Sequence, residues 1–395
     1  MLSNKNNFPV GAAVTTAELE TNLHPVLHRL RAAEPVSWIP ATDCWLITDR
    51  ETSVVVMRDA KTYTVDHPGF STGKVVGPSM LSLDGATHLH HRAPFEKPFR
   101  KREVEARFTG SVSRYVDGLI DSFCQDGHVE LRRAFCGPIA VKTMVEALGM
   151  EETPVQNVLG WYDTIVDAVT RVTAGEPVPA EGKKAFQLLK SNLLPALQKD
   201  TESSLLAAAA GIADGLTDDE IMSNAAVLLF GGIETTEGMI ANAMYHLLTH
   251  PDILTQVVDS PDLIPAVIEE SLRMEPAASV IDRYTTRNVQ LGDAHILEGD
   301  LVRISLAGAN RDPATFPNPD SFDPRRPNLR SHVTWAQGPH VCLGLHLARL
   351  EAQKSLEQLL TRLPDLHLQN PEDARPVGLV FRKPQALNVK FSGAG

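Results

Sequence analysis

The most distinctive chemistry available to this chain belongs to one thiol, Cys342, in the stretch Trp335-Ala-Gln-Gly-Pro-His-Val-Cys-Leu-Gly344. Its Gly and Pro residues predict a loop. Beyond it, Leu343, Leu345, Leu347, Leu350, Ala352, Leu356, Leu359 and Leu360 recur at helical spacing and predict a helix over about 343–362. A thiol at a helix start meets orphan N–H groups and the positive end of the dipole, which favour the thiolate. A thiolate binds a soft metal or haem iron. Gly338 and Gly344 leave room for a flat cofactor to approach the backbone. Three other readings compete. A buried core thiol is the commonest fate of an unpaired cysteine. A zinc ligand needs a second Cys/His pair, and there is none at zinc spacing and no Cys-x-x-Cys. A nucleophile would need a partner that no motif supplies.

A second constellation is Gly231-Gly-Ile-Glu-Thr-Thr236, inside the longest helical pattern, residues 217–249. Thr217-Asp-Asp-Glu220 forms a capping box at its start, and His250-Pro251 ends it. At 1.5 Å per residue the rod is about 50 Å long. Each Gly inside it costs about 1 kcal/mol relative to Ala, so the pair needs a reason. Close packing against another helix is one. A gap above a cofactor is the other. Helical spacing puts Gly231 and Gly232 one turn before Thr235, with Val227 and Leu228 a turn earlier and Met239 a turn later. Glu234 points off by a quarter turn or more. A hydroxyl facing a cavity beside a carboxylate that reaches water is a proton-relay arrangement.

Two further clusters are ionic. Glu270-Ser-Leu-Arg273 lies on a helix opened by Ser260-Pro261 and ended at Pro276, and residues i and i+3 share a face and can pair. Exposed, such a pair is worth only tenths of a kcal/mol. In Asp84-Gly-Ala-Thr-His-Leu-His-His-Arg92, His88 and Arg92 stand one turn apart and could clamp a carboxylate. The plainer reading is a solvated helix face, and His90 and His91 are left to surface or packing roles.

Taken together these motifs resemble the cytochrome P450 superfamily, of the soluble bacterial type. The family's cysteine loop runs Phe, two residues, Gly, one, His or Arg, one, Cys, one, Gly or Ala; Gly338, His340, Cys342 and Gly344 match it. Trp335 stands where Phe is usual, a departure that bears on the ligand's environment and the iron's potential. The resemblance runs from about residue 20 to near the C-terminus. It implies haem b, with Cys342 as the axial thiolate and Gly344 beside it. His88, Arg92, Arg283 and His340 are implied to hold the haem propionates. Thr235 would handle oxygen and Glu234 would deliver protons, with no firm role for Thr236. Glu270, Arg273 and Arg326, the last chosen over Arg325 in Phe322-Asp-Pro-Arg-Arg326, would be structural. Asn310-Arg-Asp-Pro313 matches a recurrent family stretch and supports only the alignment. The implied substrate pocket includes Val227, Phe230, Gly231, Val280 and Phe381, mainly apolar.

The implied activity is a monooxygenase that puts one atom of O2 into a small hydrophobic or aromatic substrate by hydroxylation, epoxidation or dealkylation. A peroxide-driven or atypical reaction is the alternative, and a non-catalytic haem-thiolate binder is a third. The Glu-Thr pair speaks against both. No Gly-x-Gly-x-x-Gly or cysteine cluster accompanies the motifs, so a separate ferredoxin and ferredoxin reductase are expected. Lys97, Arg100, Lys101 and Arg102 form a local basic cluster for such a partner, or a solvated charged face with Glu96, Glu103 and Glu105.

Composition sets the frame. With 37 Lys and Arg against 49 Asp and Glu, the net charge of −12 argues against a nucleic-acid binder. Cys44, Cys124, Cys136 and Cys342 are too scattered for a disulfide framework and fit a reducing cytoplasm. The N-terminus lacks a signal-like or membrane-spanning run. The expected organisation is one haem domain over 1–395, without a fused reductase and monomeric. The expected fold is α-rich mixed α/β, a helical lobe with a small β-sheet lobe. Residues 17–33 predict one helix, 35–39 and 44–48 two strands, 61–83 a long loop, 289–306 short strands, and 307–341 a Pro- and Asn-rich meander.

Overall fold

The computed structural model describes residues 3–173, 176–198, 204–212 and 215–392. The chain falls into two compact units, one formed by Met1–Thr64, Val116–Cys136 and Thr235–Gly395, the other by Val65–Tyr115 and Gly137–Glu234. All described strands belong to the first unit, and the second is helical among its described residues. No described helix is long and apolar enough to cross a membrane.

The main sheet has five strands in the order Val36–Ile39, Cys44–Ile47, Leu301–Ser305, Val280–Thr285, Tyr63–Thr64. Only the pairing of Cys44–Ile47 with Leu301–Ser305 is parallel, with Trp45 opposite Val302. Trp45, Ile47, Val302 and Ile304 are fully buried in the core on this sheet. Trp45 meets Phe8 and Trp38 edge-on, at 5.1 and 5.5 Å between ring centroids, and its indole N–H donates to Asp300 at 3.0 Å. That is how a large polar-tipped ring is buried without an unmet donor. A three-stranded sheet, His128–Glu130, Asn388–Lys390 and His367–Leu368, closes the chain's end onto its middle.

Two expected elements differ. The single helix over 17–33 is two, Thr16–Thr21 and Leu23–Ala33, broken at Asn22. Pro25 explains the break, because its ring would clash with the carbonyl of Thr21 in a continuous helix. The expected loop over 61–83 contains the strand Tyr63–Thr64 and the helix Ser71–Val76. That helix buries Thr72, Val75 and Val76 and stops at Gly77, whose φ is +86°. Composition concealed it because so short a helix is held by packing rather than by propensity.

The predicted long helix is present as Asp218–Leu248, 31 residues. Its capping box is made: the Thr217 N–H donates to Glu220 at 2.8 Å, and the Glu220 N–H donates to the Thr217 hydroxyl at 3.4 Å. Ile240, Ala241, Ala243, Met244 and Leu247 are fully buried, so this stretch is enclosed rather than lying on a surface.

Candidate functional site

In the first unit the cysteine loop is pinned at both ends. The Cys342 N–H donates to the Trp335 carbonyl at 2.8 Å, closing the loop on itself, and Val341 N–H donates to Gly338 at 3.2 Å. The helix after it runs Leu345–Arg362, so Cys342 lies three residues before the first turn and is half-buried. Cys44, Cys124 and Cys136 are buried, and desolvation pushes the thiols of Cys44 and Cys136 up, which suits inert core thiols. Among the described residues no three His, Cys, Asp or Glu side chains gather as a metal cluster.

The two loop glycines have different reasons. Gly338 sits at φ +75°, and a Cβ there would lie 2.7 Å from the Met57 carbonyl oxygen and 3.0 Å from the Arg58 Cα. Its space is therefore taken by the helix Arg50–Arg58, not by a cofactor, which corrects the expectation. A Cβ at Gly344 would meet nothing within 4 Å.

Sequence reasoning missed the residues that hold this loop from beneath. Asn310 accepts the Val333 N–H at 2.7 Å and donates to the Thr334 hydroxyl at 2.8 Å. That hydroxyl donates to the Leu272 carbonyl at 2.7 Å, tying the loop to the helix Ile264–Met274. Arg349 forks onto Glu269 at 2.6 and 2.9 Å, and its guanidinium lies 4.9 Å from the Trp335 ring centre. His332 also bonds Glu269, at 3.1 Å. Burial pushes the Glu269 carboxyl up, but the bonds from His332 and Arg349 outweigh it and hold it down at about 2. The only sequence signal was an Arg two turns beyond the cysteine and a second Glu beside Glu270.

Glu270 and Arg273 are both fully buried and joined at 2.7 and 2.8 Å. Arg326 adds a third member at 2.9 Å, whereas Arg325 reaches Gln256. Carbonyls of Asn310, Pro319, Ser321, Pro317 and Asn318 take further N–H groups of the two arginines. Such satisfaction is what makes a buried ionic group tolerable.

Of the polar residues expected to face a cofactor, Arg283 is buried on the strand Val280–Thr285 and donates to the Asp282 carbonyl at 2.7 Å. His340 is half-buried in a single 3-10 turn, Gly338–His340. In the second unit, His88 and Arg92 are buried on the helix Gly85–Glu96, with the Arg92 Nε 3.1 Å from Glu96. His91, left to packing by the sequence, is buried and bonds Asn224 at 3.0 Å.

The glycine pair of the long helix also divides. A Cβ on Gly232 would fall 2.3 Å from the Met144 sulfur, so Gly232 is explained by helix packing. A Cβ on Gly231 would meet nothing within 4 Å. Val227 is buried and Phe230 half-buried on the same helix. Glu234 is half-buried, and its carboxylate accepts a hydrogen bond from the Tyr162 hydroxyl. The next two residues, in the first unit, are the half-buried Thr235 and the buried Thr236. In that unit Val280 begins its strand, and Phe381 bridges Ala278 in the turn at 378–383.

These residues suit a haem. Within the thiol loop the Trp335 indole N–H is buried and has no partner among the described residues, a donor such as an anionic ligand set would use. Guanidiniums and imidazoles are the donors that propionates need. Gly231 and Gly344 each leave space where any other residue would put a side chain.

The comparisons agree. A family model described as Cytochrome P450 matches residues 183–391. "Cytochrome P450 107B1" of Saccharopolyspora erythraea is 33% identical over 368 residues, covering 87% of this chain and 88% of that protein. "Nocardicin C N-oxygenase" of Nocardia uniformis subsp. tsuyamanensis is 31% identical over 98% of each chain. The solved structure of P450BioI, in complex with a hexadecenoic acid-ligated acyl carrier protein, superposes with a TM-score of 0.85 at 26% identity, over 95% of this chain and 99% of its own. On the thiol loop, the buried Glu-x-x-Arg ionic group and these similarities, the chain belongs to the cytochrome P450 family and is a haem b-dependent oxidoreductase.

Proposed function

We propose that the protein is a single-domain haem-thiolate monooxygenase that puts one atom of O2 into a small, mainly hydrophobic organic substrate. Bound haem supplies the oxidising chemistry, to which a thiolate ligand contributes by pushing electron density toward O–O cleavage. Cys342 is the ligand. His88, Arg92, Arg283 and His340 hold the propionates, with Gly344 giving clearance beside the cysteine. A guanidinium has five donors, enough to keep its present partner and donate to a carboxylate as well. The thiol stays where the loop's own hydrogen bond and the Asn310 and Thr334 bonds put it.

The observation that carries the reading is the Glu234-Thr235 pair one turn beyond Gly231, the helix position where a side chain would enter open space. Thr235 offers a hydroxyl to oxygen, and Glu234 resupplies the proton that leaves it. Val227, Phe230, Gly231, Val280 and Phe381 line the substrate's space. Their apolar character supports a hydrophobic or aromatic substrate. An N-oxygenase and a carrier-bound acyl complex among the similar proteins support the reaction class rather than one substrate.

Electrons come from a separate ferredoxin and its reductase, docking on the exposed Lys97, Arg100, Lys101 and Arg102. Four cysteines without a disulfide support a reducing, cytoplasmic setting. The test is a spectral titration of the oxidised haem protein against aromatics, terpenoids, fatty acids and polyketides, followed by turnover of any binder. Thr235→Ala should keep NADPH consumption while product per NADPH falls several-fold. Unchanged coupling would remove Thr235 from proton handling, and the absence of a haem-thiolate spectrum would defeat the proposal.

A further inference from the structure

We propose that Tyr162 is a positioning residue for Glu234, holding that carboxylate in one orientation for proton delivery; the inference rests on the relay reading above. Tyr162 lies on the helix Val155–Thr173, buried to 5% exposure, and gives its hydroxyl proton to the Glu234 Oε2. Both residues belong to the helical second unit. The contact spans 72 residues of sequence, so no local motif could have revealed it.

The chemistry follows from what each group needs. A buried phenol must find an acceptor, and an ionised carboxylate accepts an O–H more strongly than a neutral oxygen does. A glutamate side chain unrestrained near solvent samples many rotamers, and fixing it costs conformational entropy. A charge-assisted hydrogen bond is roughly twice as strong as a neutral one, enough to offset that cost and select one rotamer. Geometry of this kind governs proton transfer, which needs donor and acceptor within about 3 Å. The phenol keeps its own proton throughout. Glu234 takes the proton that moves from solvent, passes it on and returns to the carboxylate that Tyr162 holds. In this role Tyr162 acts through Glu234, which makes it a positioning rather than a catalytic residue.

The test compares Tyr162→Phe, Glu234→Gln and the double variant as haem-loaded proteins, with NADPH, a plant-type ferredoxin and its reductase, and no added substrate. Three readouts are followed. They are the solvent deuterium isotope effect on NADPH oxidation, the hydrogen peroxide released per NADPH, and the Glu234 carboxylate infrared band, identified by its loss in Glu234→Gln. Tyr162→Phe should move the band and change the other two readouts in the direction of Glu234→Gln, by about 3-fold or more. The double variant should be no worse than Glu234→Gln alone, because Tyr162 acts only through Glu234. Two results overturn the inference while leaving the relay intact. One is a strong effect of Glu234→Gln with wild-type behaviour of Tyr162→Phe. The other is additive losses in the double variant, which mark a purely structural phenol. A Glu234→Gln variant that matches wild type in isotope effect and peroxide yield defeats the relay, and this inference with it.

Discussion

At the scale of single residues, the glycines separate what a motif says from what a structure says. Gly338 and Gly344 occupy equivalent-looking places in one signature, yet only Gly338 has a positive φ and a backbone carbonyl where its Cβ would be. Gly338→Ala therefore adds left-handed strain of about 1–2 kcal/mol and overpacking of about 1–3 kcal/mol. Gly344 has φ −81° and open space around it. Gly344→Ala should leave haem-free stability within about 0.5 kcal/mol and show its cost only in haem retention. Urea unfolding of the haem-free variants, with haem-loss rates beside it, checks both halves. Equal destabilisation of the two in the haem-free state would contradict the assignment. The sequence supplied the glycines but not this distinction, because the partners, Met57 and Arg58, lie some 280 residues away in the chain.

At the scale of elements, legibility followed the range of the forces. The long helix was read to within a residue at each end, since its capping box and its terminating His-Pro are local signals. The Glu270–Arg273 pair was equally legible as an i, i+3 contact on a helix. The break at Asn22 required weighing Pro25 against an otherwise continuous apolar stripe, and the helix Ser71–Val76 is held by burial that no local pattern announces. The Glu269 clamp was invisible for the same reason, although it carries a measurable consequence. Glu269 joins His332, Arg349 and, through the Arg349 face, Trp335 of the cysteine loop. Its folded-state value of about 2 lies below the ordinary 4.5. A depressed carboxyl contributes stability that is present above the unfolded value and is lost as pH falls through the folded one, here from about pH 5 to pH 2. On the order of 3 kcal/mol is at stake. Glu269→Gln should therefore be less stable than wild type at pH 7, with the gap narrowing steadily toward pH 3. Thermal unfolding across that range decides it, and a gap independent of pH would show that the clamp acts through packing alone.

At the scale of the whole molecule, electrostatics sets the terms for partners. The chain carries a net charge of −12, so the acidic electron donor proposed above would approach against a repulsive average field and would need a local exception. Lys97, Arg100, Lys101 and Arg102 provide one. All four are exposed, and Lys101 is drawn toward a neighbour, Glu105 at 3.7 Å. An exposed pair of that kind is worth less than about 1 kcal/mol, too little to remove the lysine from a docking surface. Steering by such a patch acts on the association rate and is screened beyond about 8 Å at physiological ionic strength. Lys97→Glu with Arg100→Glu changes the local charge by four, and should slow reduction by an acidic ferredoxin at least tenfold at low salt. Because the field is screened, the deficit should shrink toward wild type near 0.5 M salt, while reduction by a small uncharged reductant stays unchanged throughout. Stopped-flow reduction over a salt series distinguishes this from damage to the haem site, which would persist at high salt and with the uncharged reductant. A wild-type rate for the double variant at low salt would instead assign these cations to solvation, leaving the electron donor to dock elsewhere on an acidic surface.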